Sequence, residues 1–256
     1  MSTLGELTEQ IREDFLDDVT GPDKKRLWSK RNIAAAFNQA QREIARRCLL
    51  IQDSTGNEVC FLNLAQDSVT GRYSQTIPLS PKVLRVRFVL FPEHSLPPFP
   101  AVQRLGRYEL RRTNADRLND WHDNGGSGFL SQFENRSWIG KRGRPERYMT
   151  DFQLGALTFD KEPEWGGTVQ IGVIRLPLID PKQPTDEFEI REYDLALIHG
   201  ALKYLYSKGY KREDTETHDP IKESRWRNEF EADIKQIIQD QAALQPRLIQ
   251  CRPEEW

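Results

Sequence analysis

Residues 29–48 read SKRNIAAAFNQAQREIARRC, and the spacing of their apolar members decides the fold class. Ile33, Phe37, Ala40, Ile44 and Cys48 recur at intervals of three and four, which gathers them on one stripe of a helix. Asn38, Gln41, Arg42 and Arg46 are expected to face elsewhere. Ser29 is a good N-cap, and Arg46-Arg47 suits the negative end of the helix dipole, with a phosphate contact as the second reading of that pair. A helix with one such stripe is stable only when another apolar face covers it.

Working outward, the same period appears at both extremities of the chain. Upstream, Leu4, Leu7, Ile11, Phe15 and Val19 predict a helix over 3–19, with Thr3 and Glu6 at capping-box spacing and Gly21-Pro22 as its stop. Downstream, a third helix is predicted from about Arg191, with Leu195, Ile198, Leu202 and Leu205 on one face and Gly209 ending it. A fourth has Asp219 as cap, Pro220 in its first turn, and Ile221, Trp226, Phe230, Ile234, Ile237 and Ile238 as its apolar members.

Between these ends the period changes to two. Strands are predicted at 58–64, 73–77, 83–91, 105–110, 147–150, 156–159 and 168–175, with a turn at 67–71 and a short helix at 114–121. Pro92, Pro97, Pro98 and Pro100 break the chain, and the polar, glycine-bearing stretch 122–144 reads as a loop. The expectation is an α+β chain: a helical bundle built from both ends (1–53 and 188–244), a β-rich insertion (54–187) and an extended C-terminal tail (245–256).

Composition narrows the function. The 256 residues carry 37 Lys and Arg against 39 Asp and Glu, a net charge of -2 that argues against a protein coating DNA. Mean hydropathy is -0.71, and no apolar run approaches the roughly 18–20 residues of a membrane span. There is no signal-peptide pattern at the start, and three cysteines (Cys48, Cys60, Cys251) fit a reducing compartment. His94, His122, His199 and His218 are scattered, and the common zinc, phosphate-loop and nucleophile motifs are missing. His122-Asp123 and Gly125-Gly126-Ser127-Gly128 read as parts of an exposed loop. No metal, cofactor or catalytic residue is expected.

The order of motifs then points to a family. Leu27-Trp28-Ser29 and the run Phe37 to Arg47 are followed by Gly143-Arg144-Pro145-Glu146-Arg147-Tyr148-Met149-Thr150-Asp151. Next come Leu157-Thr158-Phe159, Gly167-Thr168-Val169, Arg175-Leu176-Pro177 and the stretch from Leu195 to Thr217. This order, over about residues 1–244, resembles the bacteriophage head-to-tail adaptors, also called connector or head-completion proteins. The segments 92–100 and 122–144 have no counterpart in it.

The resemblance implies a non-enzymatic virion protein, made in the host cytoplasm and placed at the neck. It would form a ring of copies of itself, twelve in number, beneath the portal protein. That ring would extend the channel for genomic DNA and seat a tail or nozzle protein, with no membrane partner. It also implies that the tail docks on the portal through Arg247, Leu248, Ile249, Gln250, Arg252 and Trp256; otherwise the tail is a frayed end resting on its own domain. Lys141, Arg142 and Arg144 either face DNA in the channel or sit in a solvated loop. Trp121, Trp138 and Trp165 are half-buried loop residues or contacts with a neighbouring subunit or a tail protein. The alternatives are another neck or tail-tube ring protein, or a tail-borne cell-wall hydrolase, which would need two carboxylates across a cleft. Glu134, Glu162 and Glu164 are candidates for it, with no pair singled out.

Overall fold

A computed structural model describes residues 2–16, 28–92, 107–114, 138–190, 192–207, 211–212, 215–216 and 219–244. The chain is α+β and divides into two units, one of residues 1–51 and 177–256, the other of residues 52–176.

The first unit is helical. Helix α1 (Leu4–Gln10) opens with a complete capping box. The Glu6 amide donates to the Thr3 hydroxyl at 3.2 Å, and the Thr3 amide donates to the Glu6 carboxylate at 2.8 Å. The expected single helix does not persist: Ile11–Phe15 is a π-turn, closed by the Leu16 amide on the Ile11 carbonyl at 3.0 Å. Leu4, Leu7 and Ile11 are buried as predicted, whereas Val19 and Gly21-Pro22 lie outside the described residues.

Helix α2 (Lys30–Cys48) starts at Ser29, whose hydroxyl accepts from the Asn32 amide. Its predicted stripe is buried throughout, and Gln41, expected to face outward, is buried with it.

Helix α3 (Asp194–Ser207) follows Arg191, which is outside the described residues. It buries Leu197, Ile198, Ala201, Leu202, Leu205 and Tyr206 around most of its circumference, because α2 covers one side and helix α4 (Pro220–Leu244) the other. Leu195, assigned to the inner face, is 53% exposed at the first turn. In α4, Trp226, Phe230, Ile234 and Ile237 are buried while Ile221 and Ile238 face outward. The Asp219 carboxylate caps α4 by accepting from the Ile221 and Lys222 amides at 3.0 and 3.1 Å. At the crossing, a Cβ on Gly200 would stand 2.7 Å from the Ala40 Cβ and 2.9 Å from the Phe230 ring, so only glycine lets the three helices approach this closely.

The proline-bearing segment after the insertion is tied to these helices. Backbone amides of Leu4 and Gly5 donate to Asp186 and Pro184, each at 2.8 Å, and the Asn38 side chain donates to the Pro181 carbonyl at 3.1 Å. Phe188 packs on Phe37 with ring centroids 5.6 Å apart. Residues 177–187 therefore belong with the helices, where the sequence had placed them in the insertion. A two-residue hairpin, β12 (Lys211–Arg212) with β13 (Thr215–Glu216), completes this unit.

The second unit is made of short strands around two long ones. β4 (Val83–Pro92) and β11 (Thr168–Arg175) pair antiparallel at the centre of a five-stranded sheet with β1 (Gln52–Asp53), β2 (Phe61–Asn63) and β5 (Arg107–Glu109). The register skips between Gly172 and Val173, leaving Arg87 as the extra residue between Val86 and Phe88. That bulge reverses the alternation, so Val86 and the later Val89 and Phe91 are all buried. A four-stranded sheet runs β3 (Thr76–Pro78), β9 (Ala156–Phe159), β8 (Arg147–Met149), β6 (Arg111–Arg112). The two sheets meet at Phe91 and Phe159, edge to face with centroids 5.3 Å apart. A parallel pair, β7 (Arg142–Gly143) with β10 (Glu162–Pro163), completes the set. The predicted helix at 114–121 lies outside the described residues, apart from Asn114 at its start.

An ion pair stitches β1 to the end of β11. The Arg175 guanidinium donates to the Asp53 carboxylate at 2.8 Å, with both side chains 11% exposed. Burial alone would raise the Asp53 carboxyl. The Thr55 amide, Arg175 and the Gly56 amide outweigh it and hold the pKa at about 2. A depressed carboxylate stabilises the fold above its unfolded value near 4, and that contribution is lost as pH falls from about 4 to 2. Asp53→Asn should thus be less stable than wild type at pH 7 in urea titrations, and the gap should narrow as pH falls from about 4 toward 2. A gap that stays constant with pH would show that the pair does not carry this acid sensitivity.

Candidate interaction surfaces

Among the described residues, the insertion carries more exposed arginines than the helical unit does. Lys141, Arg142 and Arg144, singled out in the sequence, are all solvent-exposed around β7. Their backbone is fixed: the Glu162 amide donates to the Lys141 carbonyl at 2.7 Å, and β7 pairs with β10. The Arg144 guanidinium sits 4.0 Å from the centre of the Tyr108 ring, a cation–π contact. Burial pushes the Tyr108 phenol up to about 12, with Arg144 working against that rise, and the phenol donates to the Pro145 carbonyl at 2.8 Å. The basic run is thus held at both ends, with its charges outward.

Four further arginines were missed. Arg85 and Arg87 are exposed on β4, and Arg111 and Arg112 on β6, with Arg111 in register beside Arg147 of β8. Arg85 and Arg112 both act on the Tyr148 phenol, against the burial that raises its pKa, so they approach the same point. Arg87 is bonded to the Gln52 side chain. The alternation Arg85-Val86-Arg87 inside an apolar strand was the available signal. Between residues 52 and 176, Lys and Arg outnumber Asp and Glu, and the remainder of the chain is acidic.

In the helical unit the charges form a network. The Glu43 carboxylate accepts from Lys203 at 2.9 and 3.0 Å and from the Tyr204 hydroxyl at 2.6 Å, with Arg47 at 3.4 Å. Burial would raise the Glu43 carboxyl, but these donors hold it below the usual range. Arg47 also grips Glu231 with two bonds of 2.6 Å, joining α2 to α4. Next to this hub lies an open cleft of about 670 Å³, bordered by Gln39, Arg42, Arg46 and Arg227. A second groove, of about 790 Å³, lies between α1, the first half of α2 and Pro181–Pro184. It has an apolar floor of Leu4, Ala34 and Ala35 and a rim of Lys30, Arg31 and Lys182.

The remaining candidates are placed as follows. Residues 245–256, hence Arg247, Leu248, Ile249, Gln250, Arg252 and Trp256, lie outside the described residues, as do Trp121, His122, residues 125–128, Glu134 and Cys251. Trp138 is buried against Phe152, with centroids 5.1 Å apart, and the Trp165 indole donates to the Pro92 carbonyl at 2.9 Å. Cys48 and Cys60 are buried free thiols, each pushed by burial to about 11. Glu162 is buried 3.7 Å from Arg72, and Glu164 is exposed. His199 was one of four scattered histidines. It is buried, shares a 2.7 Å hydrogen bond with Asp233 and stacks on Trp226. Among the described residues no cluster of three or more His, Cys, Asp or Glu could hold a metal, and no helix is long and apolar enough to cross a membrane.

The chain belongs to the SU10 adaptor protein family, whose model matches residues 2–250. This bears out the resemblance read from the motif order and makes the chain a phage adaptor of the virion. No curated protein matches it.

Proposed function

We propose that this adaptor assembles as a twelve-membered ring beneath the portal, extends the channel through which the genome passes, and seats the next tail component. The family match over 2–250 carries this reading. The helical unit, built from both chain ends, forms the ring body. Residues 245–256 form an arm toward the portal, with Arg247, Leu248, Ile249, Gln250, Arg252 and Trp256 as its contacts. The test is to mix the purified chain with portal rings of the same particle and weigh the product by native mass spectrometry. Twelve added copies per portal ring support the reading; no added mass, or a catalytic turnover of cell wall by the chain alone, counts against it.

The exposed Lys141, Arg142 and Arg144 face the genome and bind it weakly. A channel must let DNA slide, so few phosphates are neutralised and affinity falls with salt. Replacing all three with alanine should flatten the plot of log K against log salt by roughly 2–3 for duplex DNA, about 0.9 for each phosphate that is no longer neutralised. An unchanged slope in fluorescence anisotropy would move these residues out of the channel, and tight binding at physiological ionic strength would contradict the sliding argument.

A further inference from the structure

We propose that the cleft bordered by Arg42, Arg46 and Arg227 receives the acidic outer face of α1 and its π-turn from a second copy of this chain. The inference rests on the ring reading above and names the contact that would close the ring.

Three observations carry it. First, the outward positions of residues 4–15 include Glu6, Glu9, Glu13 and Asp14, all exposed. The one cation in that run, Arg12, is buried and lies 3.9 Å from Glu9, so the exposed charges of the face are acidic, with Glu13 and Asp14 at its end. Second, the cleft is basic on balance: Arg42, Arg46 and Arg227 stand exposed at its border, with Arg42 paired to Asp180 and Arg227 to Glu223 within the copy, while Glu43 is already held by Lys203 and Tyr204. Among the described residues no ion pair reaches Glu13, Asp14 or Arg46. Third, the spacing along the chain matches: Glu9 and Glu13 are four residues apart, as are Arg42 and Arg46 on one face of α2.

One copy does not satisfy itself. Its own α1 lies along the first half of α2, where it lines a groove with Lys30, Ala34 and Asn38. The cleft occupies residues 39–47 at the other end of α2. Position 46 is about 18 Å along the axis from position 34. A contact between two different patches of identical chains is head-to-tail, and when its rotation divides a full turn it closes a ring. The acidic excess of the helical unit makes a basic cleft the surface on which a second copy is attracted rather than repelled.

Charge reversal tests this on the full chain. One variant carries Glu13→Lys and Asp14→Lys, the other Arg46→Glu and Arg227→Glu, and circular dichroism first establishes that both are folded. Each alone should form at least ten-fold fewer rings on the portal than wild type. An equimolar mixture should recover them, because each reversed face then meets a reversed cleft, and the rings should contain both variants in equal number. Full assembly of either variant alone, or a mixture that stays dissociated, would overturn this contact while leaving the ring reading intact. A wild-type chain that forms no ring on the portal would overturn both.

Discussion

Deleting residues 246–256 is expected to leave a folded protein that no longer binds portal rings. The tail begins where α4 ends at Leu244, and Pro246 and Pro253 both stop a helix from continuing. Leu248, Ile249 and Trp256 are apolar side chains on a segment that is otherwise polar. A buried tryptophan at an interface contributes about 2 kcal/mol or more, and two aliphatic anchors bring the sum to roughly 4 kcal/mol. That is about three orders of magnitude in Kd. Thermal melting of the truncated chain should match wild type, and its sedimentation with portal rings should fall to background. Wild-type co-sedimentation would remove the tail from the interface.

The second large effect concerns the helical crossing. Phe230→Ala should destabilise the helical unit by about 3–5 kcal/mol, because the ring is fully buried against α3 where Gly200 admits it. The cost has two parts: the transfer energy of the missing ring, and a cavity that Ala40 and Gly200 are too small to refill. Hydrogen exchange should show amides of α2, α3 and α4 opening sooner, with little change in β4 and β11, which take no part in this crossing. Uniform acceleration across both units would mean that Phe230 acts through global stability alone.

Much of this was legible from periodicity. The stripe Ile33, Phe37, Ala40, Ile44, Cys48 predicted a buried face and lies in one, because a helix packed on one side keeps the pattern clean. The same logic failed for α3, which is covered on two sides, so its buried positions do not form a stripe. The π-turn at Ile11–Phe15 was invisible, since Leu4, Leu7, Ile11 and Phe15 fit an ordinary helix and one wider hydrogen bond leaves no mark in side-chain type. The bulge at Arg87 shifts the buried positions of β4 from Val86 to Val89 and Phe91, a change of parity that the residue pattern of the strand does not record. Residues 177–187 join the helices through backbone amides of Leu4 and Gly5, which no residue pattern records. The Glu43 hub unites residues 160 positions apart, beyond the reach of local spacing. The adaptor assignment came instead from the order of motifs, none of them decisive alone.

The most direct measurement is a cryo-electron microscopy reconstruction of the neck of the intact particle. The account predicts a closed ring of this chain between portal and tail, with helical units in contact around the ring and one C-terminal arm per copy rising to the portal. A neck without this chain, or one in which neighbouring helical units do not touch, would contradict it.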